Sequence, residues 1–75
     1  MNGDQLRAIR HYLEYTQQEM SDYIGVSLAT IASIEAGHRV MSDNVRWKIA
    51  HKFDTNNEDF QQYIERREKV DKYFN

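Results

Sequence analysis

The sequence predicts an all-α domain of five helices, and three observations carry that prediction. Apolar residues recur at intervals of three and four along most of the chain. No stretch alternates with period two over a useful length. None of the 75 residues is proline, and Thr, Ser, Asn and Gly fall at the joints between the periodic segments, where helix caps and turns need them.

Each element follows from local chemistry. Leu6, Ile9, Arg10 and Leu13 fall on one face, and Asp4 suits an N-cap or a first-turn acid, so residues 5–14 form the first helix. Thr16 caps a short second helix with Met20, Tyr23 and Ile24 on its apolar side. Gly25 ends that helix by supplying the positive φ of a tight turn. Ser27 caps a third helix carrying Ile31 and Ile34, closed by Gly37. Ser42 caps a fourth that runs through Trp47, Ile49, Ala50 and Phe53, with Trp47 expected to pack half-buried against the last helix. Asn56 or Asn57 caps the fifth, whose apolar positions are Phe60, Ile64 and Val70.

Composition narrows the chemistry. With no cysteine, neither a disulfide nor a thiolate zinc site is available. His11, His38 and His51 show no i, i+4 pairing, so no metal site is expected. The hydroxyls explain themselves as caps rather than as parts of a nucleophilic triad, so neither catalysis nor a cofactor is expected. No apolar run approaches the roughly 18 residues that cross a bilayer. Met1-Asn2-Gly3-Asp4 has neither a basic nor an apolar leader region, so a soluble cytoplasmic domain is the expectation. The net charge is −2, distributed unevenly. Residues 1–53 hold six basic and six acidic side chains, whereas residues 54–75 hold four basic and six acidic. A strongly basic footprint for nucleic acid is therefore absent, and the acidity lies at the C-terminal end.

The informative segment is Gln17 to Gly37. Two helices that cross steeply over a three- or four-residue turn need a small residue at the contact, a glycine in the turn and aliphatics that plug the crossing. Ser21, Gly25, and Met20, Ile24, Val26, Ile31 and Ile34 meet those needs in register. This segment resembles the phage-repressor and Cro-type helix-turn-helix family, also called Xre-type. The resemblance rests on Leu6-Arg7 and Arg10, on Thr16-Gln17 with Glu19, on Gly25-Val26-Ser27, and on Ile31 with Ile34-Glu35-Ala36-Gly37. Ile49-Ala50, Phe53 and Phe60 match the later apolar positions. Ser21 in place of the commoner alanine and Asp54 in place of a glycine are departures.

The resemblance implies a five-helix lambda-repressor-like fold and a sequence-specific regulator of transcription, by default a repressor. It would bind double-stranded DNA as a homodimer on a pseudo-palindrome, with RNA polymerase or a regulatory protein as a further partner. The third helix would lie in the major groove, with Leu28, Ala29 and Ser33 on bases and Ser27 and Thr30 nearer the backbone. Gln17 would anchor a phosphate, and Arg39, Ser42, Asn44 and Arg46 are candidates for further phosphate contacts. These readout side chains are short, so thymine methyls, DNA shape and bridging water would supply much of the specificity. Arg10 and Glu35 would form an internal pair bracing the first helix against the third. Residues 1–60 would make the DNA-binding unit. Residues 61–75 would extend the last helix, with Tyr63, Ile64, Val70, Tyr73 and Phe74 either folding back on the core or, as preferred, forming a twofold interface. A rival from another class is a protein-interaction module, antirepressor- or antitoxin-like, that keeps the fold without binding DNA.

Overall fold

The computed structural model describes the backbone of residues 1–74 and side chains as far as residue 69. It comprises α1 (Gly3–Tyr12), α2 (Gln17–Ile24), α3 (Leu28–Glu35), α4 (Asp43–Lys52) and α5 (Glu58–Phe74), with no strand among the described residues. The all-α, five-helix, lambda-repressor-like architecture read from the sequence is the one the chain adopts.

The helix boundaries are set by caps. Thr16 and Glu19 form a reciprocal capping box at α2, and Ser27 and Ser42 accept from the amides of Thr30 and Val45 at the starts of α3 and α4. Asn57 caps α5, its Oδ1 accepting from Phe60 N at 3.1 Å. Asp54 initiates the preceding turn, its carboxylate accepting from Asn56 N at 2.9 Å, which is how a carboxylate serves where a glycine is commoner.

α1 departs from its expected span at both ends. It starts two residues earlier because Asn2 and Gln5 make a capping box, so Asp4 lies in the first turn rather than at the cap. It ends at Tyr12 because Glu14 turns left-handed at φ 60° and the amide of Tyr15 reaches back to the carbonyl of Arg10. A side chain at that φ is costly, and Glu14 is exposed with no need for its Cβ. Glu14→Gly is expected to stabilise the fold by about 0.5–1 kcal/mol, the relief of strain outweighing the added backbone entropy of the unfolded chain. A thermal melt should show Tm rising by about 3–6 °C.

The core is one cluster fed by every helix. Leu6 and Ile9 of α1, Met20 and Ile24 of α2, Ile31 and Ile34 of α3, Val45 and Ile49 of α4, and Phe60 of α5 are buried, with Met41 added from the α3–α4 loop. Beside it, Tyr12, Phe53 and Phe60 form an edge-to-face trio with ring centroids 5.0–5.9 Å apart. Tyr63 and Ile64 pack against the same cluster, so the monomer already covers part of these two side chains. The side chains of Val70, Tyr73 and Phe74 lie outside the described residues.

Trp47 corrects an expectation. It is 65% exposed rather than half-buried against α5, and its ring neighbour is His51, one turn along the same helix. The inward positions of α4 are Val45 and Ile49; residue 47 lies about 200° from each around the axis, on the opposite side.

A candidate nucleic-acid interface

α2 and α3 meet across the turn at Gly25, whose φ of 75° allows its amide and that of Val26 both to donate to Ser21 O, at 2.9 and 3.2 Å. Ser21 sits buried at the crossing, its hydroxyl donating to Gln18 O at 3.0 Å. Two side chains tie this unit to α4. Lys48 Nζ donates to Gly25 O at 3.1 Å, and Tyr23 Oη donates to Lys52 O at 2.5 Å. The angle at which α3 is presented is thus held from the turn as well as from the core.

The far end of α3 is held by Glu35. Its side chain is only 2% exposed, and Arg10 bonds it through Nε to Oε2 at 2.8 Å and through Nη2 to Oε1 at 2.9 Å. Arg10 Nη1 also donates to Tyr15 O at 3.0 Å, fixing the α1–α2 loop. Arg7 adds a second guanidinium, with Nε 3.5 Å from Oε1 and Nη2 donating to the Glu35 carbonyl at 2.5 Å. The Gln17 amide completes the ring at 3.4 Å from Oε1. Burial pushes the Glu35 carboxyl upward, but the bonds and charges of Arg10, Gln17 and Arg7 outweigh it and hold the group below the usual carboxylate range. The Glu35 bond in turn raises Arg10.

The outward side of α3 begins with Leu28, 42% exposed, and Ala29, with Ala32 and Ser33 half-buried further along. From Gly25 to Ile34 no residue is charged. Ser27 Oγ and Thr30 Oγ1 lie 2.8 Å apart, and Arg39 Nη1 donates to Thr30 Oγ1 at 3.1 Å, drawing the α3–α4 loop onto the start of α3. Ser27, Thr30, Arg39, Ser42 and Asn44 line one polar cleft of about 380 Å³ together with Lys48. Arg46 lies outside it and pairs on the surface with Asp43 at 3.1 Å, while Gln17 stands at the other helix start beside Glu35.

Sequence reasoning missed Lys48 and Arg7. The i, i+4 step from Asn44 to Lys48 is the signal that could have found the first. The second arginine on Glu35 shows only once α1 is seen to cross the end of α3. Among the described residues no cluster of His, Asp or Glu could hold a metal, and no helix is long and apolar enough to cross a membrane.

A family model described as helix-turn-helix matches residues 6–59, well over half of the chain. No curated protein and no solved structure matches it significantly.

Proposed function

The chain belongs to the helix-turn-helix family of the phage-repressor and Cro type, a family of DNA-binding regulators rather than enzymes, and from that premise we propose that it is a sequence-specific transcriptional repressor. The observation that carries this reading is the exposed, uncharged start of α3 beside the polar cleft around Arg39, with the α2 N-terminus at Gln17 standing by Glu35 at the other end of α3. A helix start of this kind fits a major groove, and the flanking amides, hydroxyls and guanidinium fit the phosphates on either side.

In this reading Leu28, Ala29 and Ser33 touch base edges. Gln17, Ser27, Thr30, Arg39, Ser42, Asn44 and Arg46 face the backbone. Two copies act together on a pseudo-palindrome with half-site centres about 10–10.5 base pairs apart, or a multiple of that. The distal half of α5, with Tyr63, Ile64, Val70, Tyr73 and Phe74, supplies the twofold contact. The protein works in the cytoplasm on nucleoid DNA, and blocking RNA polymerase is its mode of repression.

Selection of bound duplexes from a random pool at moderate salt tests this. An enriched inverted repeat is the expected result. A folded protein that enriches nothing is a protein-interaction module instead. On the enriched duplex, Arg39→Ala should weaken binding to all sequences alike and flatten the slope of log K against log salt by about 0.9, one phosphate contact.

A further inference from the structure

We infer that α3 reads its half-site through pyrimidine 5-methyl groups, with Leu28 as the specificity-determining side chain, so that thymine and 5-methylcytosine are accepted alike at the contacted position. This rests on the DNA-reading role proposed above and adds the chemical class of the base that is read.

Two independent observations lead there. The first is what occupies the polar side chains near the groove-facing edge. The Gln18 amide donates to Ser21 Oγ at 3.2 Å and to Asp22 Oδ1 at 3.1 Å. Thr30 Oγ1 is held between Ser27 and Arg39, and the Gln17 amide is turned toward Glu35. The Gln17 and Gln18 amides, which could make paired hydrogen bonds to a purine edge, are thus engaged within the protein. The second is Leu28 itself. It opens α3, at the end of the helix that meets base edges in this docking geometry, and it keeps 42% of its surface exposed while the aliphatics on the other side of α3 are fully buried.

A leucine with no charge within the stretch from Gly25 to Ile34 has one good complement in a major groove. That complement is the methyl group on the 5-position of thymine. 5-Methylcytosine carries the same methyl at the same place on the groove wall. Unmodified cytosine and deoxyuridine leave a hydrogen there. Arg39 and the helix starts beside Leu28 are suited to the phosphates that border such a groove, which favours DNA over an apolar protein surface as the occupant.

The test uses the duplex enriched from the random pool, synthesised with thymine, deoxyuridine, cytosine or 5-methylcytosine at each enriched pyrimidine and titrated at one salt concentration. At the position facing Leu28, deoxyuridine should bind about fourfold more weakly than thymine, and 5-methylcytosine about fourfold more tightly than cytosine, the ratio for burying one methyl group. Leu28→Ala truncates an exposed side chain, so the fold should survive, and this variant should bind the methylated and unmethylated forms equally. Selective binding with no methyl dependence at any position overturns the inference and leaves the regulator reading intact. Methyl dependence that persists in Leu28→Ala overturns the assignment to Leu28. A pool that yields no enriched sequence overturns both.

Discussion

Arg10→Met is expected to lower the unfolding free energy by about 3–5 kcal/mol, the largest effect of any substitution considered, because it leaves the Glu35 carboxylate buried without its bidentate partner. Methionine keeps the apolar stem of the side chain, so the loss reports the guanidinium rather than packing. Arg10 also holds Tyr15 O, so the α1–α2 loop should loosen together with the end of α3. Glu35→Gln separates charge from shape: the amide fills the same space but leaves two guanidinium groups facing a neutral partner. The same group sets the acid limb of stability. The folded state holds Glu35 below the ordinary carboxylate range, so its contribution is fully present above the unfolded value, roughly pH 4.3–4.5, and is lost as pH falls through the lower folded value. Urea titrations across pH 3 to 7 should therefore show Glu35→Gln with a shallower acid limb than the parent. An acid limb of unchanged steepness would mean that other carboxylates dominate acid unfolding.

Gly3→Ala is the second substitution with a large expected effect. α1 begins beneath the end of α3, and a methyl group at Gly3 would overlap the carbonyl oxygen of Ile34 and approach Glu35 Cα to 3.4 Å. Both neighbours are backbone, so relief requires the helices to separate rather than a side chain to turn. Overpacking of this kind costs about 1–3 kcal/mol, and denaturant titration should show the unfolding free energy lowered by that amount, with the midpoint falling accordingly. Alanine is otherwise the better helix former by about 1 kcal/mol, so a stabilised variant would show that the start of α1 can move off α3 at little cost.

Local chemistry made most of the fold legible. Thr16, Ser27 and Ser42 announce three helix starts because a side-chain oxygen three residues ahead of an amide is a short-range signal. Gly25 and Gly37 mark two helix ends for the same reason, each with a positive φ that suits glycine. Where reading failed, the cause was usually an alternative of equal local merit or a partner distant in sequence. Asn2 and Asp4 both suit a cap, and the Gln5 side chain decides between them. Trp47 looked like packing material by size, but the face containing Val45 and Ile49 was already sufficient to bury α4. The residues around the candidate interface were partly legible as well. Ser27, Thr30, Arg39, Ser42 and Asn44 stand far apart in the chain yet line one cleft, whereas Lys48 and Arg7 join only through contacts that span 23 and 28 residues.

The outward position of the chain's one tryptophan has an optical consequence. An indole already in water emits at long wavelength in the native state, so unfolding changes its colour little. Loss of secondary structure is therefore best followed by far-ultraviolet circular dichroism. The indole is better suited to another event, since a blue shift would report a partner closing over the outer face of α4.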